Sequence, residues 1–163
     1  MVEELQKIRE SINAIDELIE KICSGFPEYQ YLLTIPGFGP DVSSKVLGAI
    51  GNPLRFDNGK QVLKLAGYDL SASRSGKPSD FAIPRISKRG NAYLRYALYQ
   101  AALIASTRNK YFKRYYANQL KGREREKGIH TKMKVKLAAK MLIIAWTLMK
   151  NKEPFDPAYL NIE

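Results

Sequence analysis

Leu33-Thr34-Ile35-Pro36-Gly37-Phe38-Gly39-Pro40-Asp41 ends one helix and begins another within nine residues. A short apolar helix over about 28–34 stops at Pro36, because a proline inside a helix removes a donor and crowds the preceding turn. The chain turns through Gly37 and Gly39. An amphipathic segment carrying Val42, Val46, Leu47 and Ile50 then restarts after Pro40, whose fixed φ suits a first helical position. Two glycines at this spacing let the backbone take positive φ and approach whatever lies outside. The restarting helix presents unpaired N–H groups and the positive end of its dipole toward the same place. Residues 31–51 therefore read as a helical corner able to cradle an anion.

Charge indicates which anion. The 163 residues hold 27 Lys and Arg against 16 Asp and Glu, a net charge of +11. The first 30 residues run the other way, with seven acids against three bases, so the excess lies downstream. Between Arg108 and Lys140 twelve basic residues face only Glu124 and Glu126. Such a density is the electrostatic footprint of a polyanion partner. On so basic a chain, a cradle of backbone N–H groups suits a nucleic-acid phosphate, and the corner resembles the DNA-binding helix-hairpin-helix. A corner that merely packs satisfies the same residues, and a basic block is often only a solvated face.

Composition excludes several other classes. The single cysteine, Cys23, rules out an internal disulfide and reads as a small buried hydrophobe. One histidine and one cysteine argue against a zinc site built by this chain alone, and no cofactor is expected in it. No stretch approaches the roughly 18 to 20 apolar residues that span a bilayer. The opening MVEELQKIRE is acidic and amphipathic, unlike a signal or transit peptide. The expected location is cytoplasmic, without membrane contact.

Leu5, Ile8, Ile12, Ile15, Ile19 and Ile22 alternate spacings of three and four, the seam of a short coiled coil over residues 1–25. Ser24-Gly25 should end that helix, with Pro27 as a stop. A chain that opens directly on such a seam reads as a piece of something longer, associating through the coil into a homo-oligomer. The compact helical domain then occupies 26–163. It contains the corner, a helix from about 40 to 50, and a short one at 59–66 ending at Gly67. Three more follow at about 88–107, 109–121 and 131–150. Ala97, Ala101, Ala102 and Ala105 give the first of these a small-residue face that permits close packing. Tyr111, Phe112, Tyr115 and Tyr116 alternate with bases in the second, as core residues or as a base-stacking surface. Nothing shows the period-two alternation of a strand, so the fold class is all-α.

Residues 68–86 interrupt the helices with serine, glycine, proline and charge, and a loop this long in a small domain is usually functional or disordered. Ser71, Ser73, Ser75 and Ser79 lie there among Arg74, Lys77 and Arg85. Serine is nucleophilic only when a base, a metal or a cationic field eases loss of its proton. A hydrolase triad is improbable, since His130 sits alone in a basic tip and no G-x-S-x-G elbow exists. A serine attacking a phosphodiester would be served by these cations, and Gly76 would let the backbone close onto the phosphate. A merely flexible serine-rich loop has the same composition.

The order of segments resembles a family. A coiled coil is followed by LLTIPGFGP, LAGYDLSASRSGKP, ISKRGNAYLRYALYQAALIA, YFKRYY, KLAAKMLIIAWTLMK and PFDP, from about Tyr31 to Pro157. This is similar to the C-terminal transposase domain of the insertion-sequence 110/116/902 type, the bridge-RNA-guided recombinases of bacteria and archaea. The resemblance implies that Ser75 of the Ser-Gly pair is the nucleophile, forming a 5′-phosphoserine link to DNA, with Gly76 as the turn that exposes it. It also implies a RuvC-like N-terminal domain, whose four acidic residues bind Mg2+ and complete the site from another subunit. No such acidic cluster is evident here, so the chain is expected to hold half a site and to be inactive alone.

Carried over residue by residue, Lys77 would touch phosphate, and Lys88, Gly90, Asn91 and Arg95 match the Lys-x-Gly-Asn-x-x-Leu-Arg helix start. Asn91 suits a helix N-cap as well as a DNA contact, and Arg95 is placed to point back toward the loop. Gly37, Gly39, Lys45, Arg85, Arg89, Lys136 and Lys140 complete the expected DNA-facing set. DNA is the expected partner, and bridge RNA a shared one. The competing functions are a non-catalytic helix-hairpin-helix DNA-binding module and an assembly module.

Overall fold

The computed structural model describes residues 1–71 and 85–160. Its architecture is all-α, with seven helices among the described residues: α1 (Val2–Cys23), α2 (Pro27–Leu33), α3 (Pro40–Ile50), α4 (Gly59–Ala66), α5 (Ala92–Arg108), α6 (Lys110–Leu120) and α7 (Ile129–Asn151). One antiparallel pair of two-residue strands, β1 (Leu70–Ser71) and β2 (Arg85–Ile86), departs from the helical expectation. Two residues per strand are too few for any alternation to register.

Local chemistry accounts for the helix ends. Asn58, Asn91 and Asn109 each accept from backbone N–H groups of the turn they precede, at 3.0–3.2 Å. Pro27 and Pro40 occupy first-turn positions, and Gly67 leaves α4 in the left-handed region. Asn109 also closes α5 through its backbone N–H, so a single residue separates two helices. Arg55 and its neighbours form a 3-10 turn, Pro53–Arg55, whose Pro53 carbonyl accepts from Trp146 Nε1 at 2.8 Å.

α7 is the central element. It packs on α2, α4, α5 and α6, and Leu137, Ala138, Met141, Leu142, Ile144, Ala145 and Leu148 are buried. Apolar residues around most of its circumference suit a helix with neighbours on several sides. The small face of α5 does what its composition foretold. Ala97, Ala101, Ala102 and Ala105 are buried, and both α7 and the α2–α3 corner approach that helix closely. Phe112 is buried and stacks on Phe155 at 5.5 Å, so this part of the aromatic cluster is core, while Tyr111 stays exposed.

α1 stands apart. Its main contact among the described residues is with α3, and none of its residues is buried. Leu5, Ile8, Ile12, Ile15, Leu18 and Ile22 are each more than half exposed, so the heptad seam lacks a partner among the described residues. Cys23 is half-buried rather than interior. Among the described residues no helix is long and apolar enough to cross a membrane.

Candidate nucleic-acid interface

The two ends of the serine segment are drawn together by backbone. Leu70 pairs with Ile86 and Ser71 with Arg85. Below them Ser87 N donates to the Asp69 carbonyl at 2.7 Å, Lys88 N to Gly67 O at 3.0 Å, and Asn91 N to Leu65 O at 2.8 Å. The Ser87 hydroxyl donates to Asp69 Oδ1 at 2.6 Å. Residues 67–71 and 85–91 thus form a closed stem standing on the C-terminal end of α4. Ser75, Gly76 and Lys77 lie outside the described residues.

Two glycines permit this closure. A Cβ on Gly90 would lie 2.3 Å from Gly67 N and 2.4 Å from Leu65 O, and Gly67 has a positive φ of 69°. Only backbone without side chains can approach backbone so closely. The Lys-x-Gly-Asn run is therefore explained by packing at Gly90 and capping at Asn91, whose Oδ1 accepts from Leu94 N at 3.0 Å. Lys88, between stem and helix, carries a positive φ of 56°, unusual for a residue with a side chain.

Arg95 points back, as its position one turn into α5 suggests. Its Nη1 donates to the Ala66 carbonyl at 2.8 Å, at the negative end of α4, while its own carbonyl accepts from Tyr68 Oη at 3.0 Å. That bond fixes the guanidinium at the foot of the stem and leaves its other donors uncommitted to backbone among the described residues. Burial pushes the Tyr68 phenol well above the ordinary tyrosine range, against the opposing charge of Arg95, so the hydroxyl stays protonated and keeps donating. Arg85, Lys88 and Arg89 are exposed around the stem, and none forms an ion pair with a described acid.

The corner is placed differently from its sequence reading. Gly37 does take a positive φ of 91°, but its close neighbour is interior: a Cβ there would lie 2.5 Å from the Ala101 carbonyl of α5. Ile35 and Phe38, on either side, are buried. Gly37 therefore serves packing. Gly39 has an ordinary φ of −102° and open space beside it, at the N-cap of α3. Lys45 is an exposed partner of Asp41, one turn earlier. Arg95 and Ala101 are six residues apart on α5, which turns them roughly 120° from each other about the helix axis. Stem and corner consequently do not share one face of α5.

On α7, Lys136 Nζ donates to Gln119 Oε1 of α6 at 2.6 Å. Lys140 is partly buried, and desolvation lowers its pKa. Farther along the basic tip, Tyr116 Oη and His130 Nδ1 lie 3.1 Å apart. Among the described residues no group of three or more His, Cys, Asp or Glu side chains comes together to hold a metal ion.

The sequence reading passed over one feature. Tyr68, Ile86, Lys88, Arg95, Tyr96 and Tyr99, with Ala92 and Val135, line a cavity of about 350 Å³ beside the stem. Ala92, Arg95, Tyr96 and Tyr99 recur at intervals of three and four, so the signal was a stripe on α5. Its facing wall, Tyr68 and Val135, comes from distant segments.

Comparison with known proteins fits the same region. The family model described as Transposase IS116/IS110/IS902 matches residues 29–117, from α2 through the corner, stem and α5 into α6. Pilin gene-inverting proteins of Moraxella lacunata and Moraxella bovis are each 31% identical to the chain over 153 residues, covering 90% of it and 46% of their own length. The chain thus spans about half the length of the curated relatives it matches. With more than half of its residues inside the matched model, the chain belongs to the Transposase IS116/IS110/IS902 family.

Proposed function

We propose that the chain is the DNA-binding helical domain of a recombinase and that Ser75 is its nucleophile. The observation that carries this reading is the stem, which joins both ends of the serine segment at one point among exposed Arg85, Lys88 and Arg89 and the anchored Arg95. Cations there lower the energy of a phosphodiester whose charge rises during attack. In that step Ser75 Oγ bonds to phosphorus as the P–O3′ bond breaks. The serine proton ends on the 3′ oxygen, leaving a 5′-phosphoserine and a free 3′ hydroxyl. One phosphodiester replaces another, so the linkage is conserved for rejoining.

The described residues supply no donor set for the Mg2+ that the family resemblance implies. The matched region is about half the length of the relatives, which leaves room for a second domain as the place for that ion. The exposed α1 seam supports pairing with a second copy, which would bring the two kinds of domain together. Gly39, Lys45, Lys136 and Lys140 are assigned to DNA backbone contact, and the α2–α3 corner to a helix-hairpin-helix. Bridge RNA would share the basic surface.

Ser75→Ala in the complete recombinase tests the assignment. Recombination should vanish while duplex DNA binding stays unchanged. Continued recombination would exclude Ser75 as the nucleophile.

A further inference from the structure

The cavity beside the stem has the wrong chemistry for a simple packing defect. Three tyrosines and two cations line it, with no carboxylate among the described residues that do. At about 350 Å³ it falls at the low end of ligand pockets, which run from about 300 to 1,000 Å³. A single nucleotide-sized group fits such a space, whereas a duplex does not. Tyr96 is 65% exposed, an aromatic ring held at the rim by the first turns of α5 rather than drawn into the core. Tyr68 is buried and fixed by its bond to the Arg95 carbonyl, so the inner wall is rigid. The guanidinium of Arg95 is likewise held by Ala66. Lys88, forced into positive φ, stands where the stem meets the helix.

Aromatic faces with adjoining fixed cations recognise a flat π-system carrying a phosphate. The placement adds a second argument. Ile86 of β2 and Lys88 lie at the foot of the stem from which the serine segment departs, so any group in the cavity sits next to that segment's base. We infer that this cavity receives one unstacked nucleobase of DNA, with Tyr96 and Tyr99 stacking on it and Lys88 and Arg95 holding its phosphate. The inference rests on the DNA-recombinase reading above and deepens it. A base taken out of the stack would loosen the duplex beside the phosphodiester to be cut.

The test uses a short single-stranded deoxyoligonucleotide carrying one 2-aminopurine, titrated with the protein and followed by its fluorescence. Stacking on a tyrosine should give saturable quenching. Tyr96→Ala should weaken binding by about 5-fold to 150-fold, the range for loss of one base–aromatic stack, and Tyr96→Phe should restore it. In competition against the 2-aminopurine strand, an abasic nucleotide at that position should cost the wild-type protein the same factor and cost Tyr96→Ala nothing further. Equal loss in both proteins would overturn the inference, because the base would then be recognised somewhere other than Tyr96, and no loss in either would overturn it because binding would ignore the base. So would a ribo-oligonucleotide that competes better than its deoxy counterpart. Duplex binding that remains salt-dependent with no base-specific part would sink the pocket and leave the DNA reading standing. Absence of binding to duplex and single strand alike would end both.

Discussion

Replacing Gly90 by alanine adds one methyl group where three backbone atoms already converge. The new carbon would lie 2.3 Å from Gly67 N, 2.4 Å from Leu65 O and 2.5 Å from Lys64 O, against an optimum of about 3.5–4.0 Å. Gly90 does not have a positive φ, so the effect is steric alone. Relief requires the stem to move off the end of α4. The bonds Asn91 N to Leu65 O and Lys88 N to Gly67 O then break, each worth about 1 kcal/mol net. The Arg95 bond to Ala66 strains with them. A destabilisation of about 2–3 kcal/mol follows, a substantial part of a domain's usual 5–15 kcal/mol. Urea unfolding midpoints measure it, and hydrogen exchange at the Lys88 and Asn91 amides locates it. Gly48→Ala is the control. Gly48 lies within α3 with nothing within 4 Å of its added Cβ, and alanine there should stabilise by about 1 kcal/mol. A Gly90→Ala protein within about 0.5 kcal/mol of wild type, with both amides still protected, would refute the claim that the stem is clamped by contact between glycine backbones.

Asn109→Ala removes the acceptor for Tyr111 N and Phe112 N and should cost about 1 kcal/mol in thermal or chemical unfolding. Ile12→Asp and Ile15→Asp, both on the exposed seam of α1, should abolish self-association in sedimentation experiments without lowering the unfolding midpoint of the remaining helices. Lys88→Ala and Arg89→Ala should each reduce the slope of log affinity against log salt for duplex DNA by about 0.9; an unchanged slope would remove them from the interface. Tyr159 and Asn151 donate to Glu153 and hold its carboxyl below the ordinary range. Its contribution is therefore present above the unfolded carboxyl pKa and lost as pH falls through the lower folded value, so Glu153→Gln should flatten the acid limb of a stability–pH curve.

Much of the helical layout was readable from the chain because it is set locally. Asn58, Asn91 and Asn109 act on the turn they precede, Pro27 and Pro40 fix first turns, and the 3–4 spacing of α1 needs no tertiary context. What lay opposite each element was not readable. A positive φ at Gly37 was foreseeable, but its neighbour, Ala101, is 64 residues away, and that contact turns the glycine inward. The contact of Gly67 with Gly90 likewise joins segments on either side of the serine loop, and β1 and β2 are too short to leave a periodic trace. The tyrosine cavity was hidden for the same reason. Tyr96 and Tyr99 form an ordinary stripe until Tyr68 and Val135 are brought across from it. Arg95 shows how far local geometry reaches: one turn of helix sufficed to aim it backward, and the structure shows where it lands, on the Ala66 carbonyl at the end of α4.

The attack of Ser75 on a DNA phosphorus is tested most directly by trapping the covalent adduct. The complete recombinase should be quenched during reaction with its DNA, digested, and its nucleotide-bearing peptide sequenced by mass spectrometry. A single phosphonucleotide on Ser75, absent from the Ser75→Ala protein, is the expected result. An adduct on Ser71, Ser73 or Ser79, or one that survives the substitution, would contradict it.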